Sequence, residues 1–282
     1  MAQTAIVTDS TSDLPRTGAA KYGIEIIPLS VTHRDKTYLD GVDITPDEFY
    51  PMLTEGSDLP KTSQPSIGQF TEVYSRLLDQ GRDIISVHIS GKLSSTVMTA
   101  LSAVSQLKTS RIHVFDSGFL SYALAMQAVA AARMALDDNP TQRILRRLEE
   151  MRGRTELMFT LDTLHYLHKG GRIGKVSSLL GHLLNIKPVL RVEDGEYVTA
   201  ARTRSTRQAL ATMSSLMADK FGRERVWVAV GHGRGHQGAA ALLEMLSHSL
   251  NSAEPPVLFE VGPVIGVHTG PGTVGAAVCP VF

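Results

Sequence analysis

The chain has 282 residues, 28 basic and 28 acidic, and a single cysteine. Zero formal net charge argues against a nucleic-acid binder, which needs a clustered positive excess. One thiol excludes a disulfide framework or a cysteine-rich metal site. At 43% apolar residues an ordinary packed core is expected, and the absence of any 18-residue apolar run or leader pattern points to a soluble, cytoplasmic chain without a transmembrane segment.

Taken in chain order, "TAIVTDS" reads as a β-branched strand, followed by a helix from about Leu14 that has Pro15 in its first turn and stops at Gly23. "IEIIPLSVTHRDKTYLDG" reads as an extended segment and a hairpin turning near Arg34-Asp35. Thr45-Pro46-Asp47-Glu48 is a capping box that opens a short helix, and Ser66 with Gln69 opens another after the polar loop "LPKTSQPS". "DIISVHIS" and "RIHVFDS" have continuous apolar centres, as strands buried on both faces do. With helices between and after them, residues 1–154 read as an α/β domain with a parallel sheet covered on both faces.

The rhythm changes after Arg154. "TELMFTL" is a strand, and "DTLHYLHKGGRIGKVSSLLGHLL" is a short helix, a glycine-rich loop and another helix. "KPVLRVEDGEYVTAART" is a hairpin on Asp194-Gly195. A helix over Ser205–Phe221, the strand "RVWVAVGH", a helix from about Gln237 to Leu250 and terminal strands complete a second α/β domain, 155–282, with a mixed sheet.

Hydroxyls gather at the joints of the first half. "TDSTSD", "KTSQPS", "SGKLSST" and "FDSG" each follow a strand or precede a helix, so Ser10, Thr62, Ser63, Ser94 and Ser117 converge if the strands' carboxyl ends line one crevice. "SGKLSST" is not a phosphate loop, because it lacks the second glycine and Lys92 comes too early. Uncharged donors of this kind suit a carboxyl group better than a phosphate. "HKGGRIGK" crowds Lys169, Arg172 and Lys175 onto a loop free to dock a partner or to stand as a solvated turn. Arg202 and Arg204 extend the same basic face. Gly233-x-Gly235-x-x-Gly238 with Glu260 imitates a dinucleotide fingerprint, but too little chain follows for the rest of that sheet. The histidines form no metal signature: His165 and His168 lack a third ligand, and His232 and His236 lie across a glycine-rich turn. His268, between apolar strand residues and a glycine turn, either orients a ligand or satisfies a core hydrogen bond. Cys279 reads as a buried structural thiol.

The ordered set "IVTDSTSDLP", "KTSQPS", "SGKLSST", "VFDS", "YLHKGGRI", "KPVL" and "GPG" resembles the DegV family, which is similar to the fatty-acid-binding subunits of bacterial fatty-acid kinase. The resemblance spans essentially the whole chain. It implies two α/β domains with a long-chain fatty acid buried between them as ligand, no cofactor or metal, and no catalysis by this chain. A separate ATP-binding kinase subunit would phosphorylate the acid's carboxyl for phospholipid synthesis. On that resemblance Thr62, Ser94 and His268 hold the carboxyl, Arg172 faces the kinase, and Arg202 is a weaker candidate for the same face. Ser63 and Ser95, beside them in the quoted motifs, join the carboxyl-binding set. Lys92 departs from the small or apolar residues usual in that loop, and an inward ammonium would undo the neutral-hydroxyl picture. A small-molecule phosphotransferase or hydrolase using the same crevice is the alternative, disfavoured by the missing nucleotide loop. Acyl length is not readable, with Ile26, Ile27, Phe119, Met158, Leu180 and Ile265 the expected slot residues.

Overall fold

The structure, a computed structural model, describes residues 4–55, 58–179 and 186–281. The first half runs β1 (Thr4–Asp9), α1 (Arg16–Tyr22), β2 (Ile24–Ile27), β3 (Ser30–His33), β4 (Lys36–Leu39), α2 (Pro46–Glu55), β5 (Lys61–Ser63), α3 (Ile67–Asp79), β6 (Asp83–His88), α4 (Thr96–Leu107), β7 (Ile112–Asp116), α5 (Ser121–Leu136) and α6 (Thr141–Arg154). Four of these strands form a wholly parallel sheet in the order β2-β1-β6-β7. Strand alternation explains its two covered faces. Ala5, Val7 and Ile84 pack with Phe70, Tyr74 and Ala100 of α3 and α4, whereas Ile6, Ile85 and Val87 pack with Ala123 and Leu124 of α5.

The expected starts and stops are present. Gly23 ends α1 in the left-handed conformation (φ 63°), and the Thr45/Glu48 and Ser66/Gln69 boxes open α2 and α3. One expectation changes. "KTS" is not loop but β5, which pairs with β3 beside the β3–β4 hairpin, setting Thr62 opposite Val31.

The second half runs β8 (Glu156–Thr160), α7 (His165–Lys169), a 3-10 turn (Gly174–Leu179), β9 (Lys187–Glu193), β10 (Glu196–Thr203), α8 (Thr206–Phe221), β11 (Arg225–Gly233), α9 (His236–Ser249), β12 (Asn251–Ser252), β13 (Val257–Glu260), α10 (Pro263–Thr269) and β14 (Thr273–Pro280). The expected helix after the glycine-rich loop is a 3-10 turn as far as Leu179, and its continuation, with Leu180, lies outside the described residues. The sheet is mixed, in the order β10-β9-β8-β14-β11-β12 with β13 also on β11. Its turn at Asp194-Gly195 has both residues at positive φ (49° and 79°), as a type I′ hairpin requires. His268 lies not beside a strand but on α10, a helix begun by Pro263.

One face of this sheet carries α8 and α9; the other meets α5 and α6. Helix α5 therefore lies between the two sheets, which accounts for its alanines: Ala123, Ala125, Ala128 and Ala131 are all fully buried. Small side chains let both sheets approach the helix, at the expense of a clear amphipathic stripe. Cys279 is sealed in this core, and burial pushes its thiol up to about 11, so it is inert.

Candidate functional site

Two adjoining cavities open between the parallel sheet and the mixed one. The inner one is walled by Leu157 and Phe159 of β8, Phe259 of β13, Ile265 of α10, and Gly275 and Ala277 of β14. Its surface is almost wholly apolar. The outer one is bordered by Thr62, Ser63, Ser94, Arg172 and His268. Leu120, Tyr197 and Ile265 line both, so the chambers adjoin across these side chains and together make a slot-like site with a greasy end and a polar end.

The polar end is assembled from four places in the chain. Strand β5 presents Thr62, whose Oγ1 lies 2.8 Å from His268 Nε2 on α10. Burial, aided by the Arg172 guanidinium, lowers the His268 imidazole to about 4, so it is neutral at pH 7. Thr62 can donate its proton to a ligand only if Nε2–H donates to Thr62, and that tautomer leaves Nδ1 bare. His268 Nδ1 is indeed buried with no partner. Gly170 makes the imidazole's seat: a Cβ there would stand 2.2 Å from Nδ1. The first glycine of "KGGRI" thus serves packing, while Gly171, at φ 70°, supplies the turn.

The "SGKLSST" joint supplies the opposite wall. Ser94 Oγ accepts from Thr96 N–H (3.3 Å) and lies 2.8 Å from Thr96 Oγ1, a local turn that starts α4. With Thr96 donating, Ser94 keeps its own proton for a ligand. The same turn directs Ser95 outward: it is exposed, makes no side-chain cap bond, and lines neither cavity, contrary to the expectation that it joins Ser94. Lys92 also points away, with Nζ 3.7 Å from Glu196 Oε2.

Arg172 was expected on an outer, partner-facing loop. It lines the outer cavity, with Nε donating to Leu93 O (3.3 Å) and Nη1 to Gly170 O (2.7 Å), and it also borders a wide solvent cleft. That cleft carries Arg34, Lys61 and Lys169 and leads to Thr62 and His268. Arg202 is exposed on β10 and lines neither cavity.

Of the five expected hydroxyls, Thr62, Ser63 and Ser94 line the slot and two do not. Ser10 accepts from Leu29 N–H, and Ser117 is tied to Phe119. Among the expected slot residues Ile265 lines both chambers; Ile27, Phe119 and Met158 sit in packed core, and Ile26 borders a different cavity. Thr11 and Tyr197 were missed. Thr11 stood in the quoted "TDSTSD", but Tyr197 had no signal, because it depends on the β9–β10 hairpin tip reaching Ser90, which donates to Gly195 O (2.8 Å).

Beneath the slot lies a Ser86–His88–Asp9 chain that imitates a nucleophilic triad. His88 Nε2 is 2.6 Å from Ser86 Oγ and Nδ1 is 2.9 Å from Asp9 Oδ2. All three are fully buried, Ser86 accepts from Tyr74, and Ser86 lines no cavity, so no substrate reaches it. Asp9 also accepts from the N–H groups of Thr11 and Ile89, so the chain braces the strand ends under the slot. The glycines of the dinucleotide-like turn are packing positions too. Cβ atoms at Gly233 and Gly235 would meet the Tyr50 hydroxyl at 2.5 Å and the Val274 methyl at 2.7 Å, which leaves no cradle for a pyrophosphate.

Fold and site together define an α/β protein with two adjoining chambers between its sheets, one apolar and one bordered by hydrogen-bonding side chains. The chain belongs to the DegV family: the model for that family of uncharacterised proteins matches residues 3–281. A DegV domain-containing protein of Halalkalibacterium halodurans is 34% identical over 277 residues, 98% of each chain. A DegV family protein from Thermus thermophilus, described for its fatty acid binding, superposes with a TM-score of 0.94 at 34% identity over 99% of this chain and 100% of that one. A stearic acid-binding protein from Eubacterium ventriosum superposes at 0.87 with 28% identity, over 99% of this chain and 98% of that one.

Proposed function

We propose that this chain binds a long-chain fatty acid between its two halves, residues 1–154 and 155–282, and presents the carboxyl group to a separate ATP-dependent kinase that forms the acyl phosphate. The observation that supports the reading is the adjacency of the two chambers, one with apolar walls and the other bordered by Thr62, Ser94, His268 and Arg172. Burying about 14 methylenes contributes on the order of 11 kcal/mol gross at about 0.8 kcal/mol per CH₂, before ordering and association costs of several kcal/mol. The apolar chamber therefore supplies affinity. The hydroxyls and the guanidinium set the register of the carboxyl, a positioning role.

Presentation to a partner is supported by the cleft. Arg34, Lys61 and Lys169 line the approach to the polar end, where an incoming phosphoryl group needs positive charge. The slot itself has no nucleotide cradle, so ATP belongs to the partner, and we place both in the cytoplasm. No helix among the described residues is long and apolar enough to cross a membrane.

Mass spectrometry of the denatured protein after purification from a bacterial host tests the binding step, with about one fatty acid per chain expected. Repeated preparations free of lipid would sink it. Thr62→Ala with Ser94→Ala tests the presenting step: the double variant folds, but acyl phosphate formation by the partner falls by at least about 100-fold, the scale of two lost charge-assisted hydrogen bonds at about 1.5–3 kcal/mol each. Undiminished turnover would remove those hydroxyls from the site.

A further inference from the structure

Away from the slot, three potential ligand side chains converge where β11, α9 and β13 meet. His232 and Glu260 are register partners on adjacent parallel strands, so their side chains leave the same face of the sheet. The left-handed turn at Arg234 (φ 63°) then folds the chain back, and His236, the first residue of α9, lies over His232 with ring centroids 4.2 Å apart. One donor atom from each of the three lies within 4.8 Å of the others. We propose that His232, His236 and Glu260 form a site for a divalent transition cation of the zinc class, with its remaining position open to water.

Two observations make this more than proximity. His232 Nδ1 is buried with no hydrogen-bond partner, an arrangement a folded protein rarely leaves uncompensated, and Glu260 Oε1 is buried with no hydrogen bond and only an ion pair to Arg234. The chemistry of the set also fits: two imidazoles and one carboxylate make the three-ligand zinc site that keeps an open fourth position. Tetrahedral ligation at about 2.05 Å needs ligand atoms about 3.4 Å apart. The trio must therefore draw together by up to about 1.4 Å, and the side chains best able to move are exposed His236 and half-buried Glu260, while His232 stays fixed on its strand.

Arg234 is the opposing charge, with Nη1 3.4 Å from Glu260 Oε1. It is already paired with Asp47 at 2.8 Å, so Asp47 holds the guanidinium when Glu260 turns to a cation. On the other face of the same two strands, Gly231 and Phe259 line the apolar chamber. A cation here would stitch β13 to β11 behind the acyl chain. The site does not depend on the fatty-acid reading, since it uses none of the slot's residues.

The test uses the full chain freed of metal by chelation. Titration with Co²⁺, followed by visible ligand-field absorption, and with Zn²⁺ against a chromophoric chelator should each show one equivalent bound. His236→Ala removes an exposed ligand and Glu260→Gln preserves shape, so both should fold and keep their lipid content. Each should weaken Zn²⁺ binding by at least about 10-fold, the lower scale seen when even a supporting group of a metal site is lost. No stoichiometric binding, or binding that survives both substitutions unchanged, overturns the proposal.

Discussion

The two ends of α10 show opposite answers to the same problem of burying an ionisable group. At its C-terminal end His268 is held neutral by burial, down to about 4, beside the polar end of the slot. At its N-terminal end Asp13 and Asp40 close on Gly262, where a Cβ would stand 2.9 Å from Asp13 Oδ1 and 3.5 Å from Asp40 Oδ1. Asp13 accepts from Gly262 N–H (2.9 Å) and from Ser121, yet burial still pushes it up to about 7. Burial likewise raises Asp40 to about 7, opposed by its bonds with Ser10 and Val264 and reinforced by the Asp13 charge. One end resists gaining a proton and the other resists losing one. A short helix whose side chain lines the slot is thus seated from both ends by groups that stay uncharged near pH 6.

The sharpest way to break this comparison is Gly170→Ala. Its Cβ overlaps His268 Nδ1, and the neighbouring Tyr166 carbonyl at 3.0 Å prevents the loop from yielding easily. Overpacking of this kind costs about 1–3 kcal/mol, and the imidazole must swing away from Thr62. Denaturant unfolding should show the loss, and lipid content should fall with it. Retained lipid at wild-type stability would mean that His268 does not need its present seat.

The next effect is a pH dependence with opposite signs at the two ends. A raised carboxyl contributes stability that is complete below its unfolded value near 4 and is lost as pH rises through about 7. A lowered imidazole contributes stability that is present above its unfolded value near 6.5 and is lost as pH falls through about 4. Asp40→Asn should therefore flatten the decline in stability between about pH 4 and pH 7, by roughly 2 kcal/mol or more across that window. His268→Gln should leave that decline intact and flatten the one below pH 6.5. Identical pH profiles for Asp40→Asn and the wild type would show that the Asp pair is not titrating.

How much of this was legible follows from the range of the interactions. Capping boxes, the Asp194-Gly195 turn and the apolar strand centres are local, and each stood where its residues placed it. Thr62, Ser94 and His268 were named by resemblance; the bottom-up clue for the first two was only a density of hydroxyls at strand ends, and for His268 its place between apolar residues and a glycine turn. Ser10 and Ser117 matched that clue equally well but turned to backbone partners, a choice made by neighbours distant in sequence. Tyr197 and the Asp13–Asp40 pair were illegible for the same reason, since Gly262 is 249 residues from Asp13. The third member of the His232–His236 group was hidden because strand register, not spacing, brings Glu260 alongside.

Lys92 carries the smallest predicted effect and a useful one, because it separates a neutral mouth from a charged one. Its backbone N–H donates to Ser90 Oγ (3.2 Å), which keeps the tight turn, while its ammonium lies on the outside near Glu196, in a pair that Lys175 shares at 2.7 Å. Exposed pairs of this kind are screened by solvent and contribute little. Lys92→Ala should therefore leave lipid content, stability and presentation to the partner unchanged. Arg172→Ala should lower both binding and acyl phosphate formation, because Arg172 alone of the two lines the cavity. If Lys92→Ala weakened binding as much as Arg172→Ala, the joint "SGKLSST" would be gripping the acid with charge, and the division of labour between hydroxyls and guanidinium would have to be redrawn.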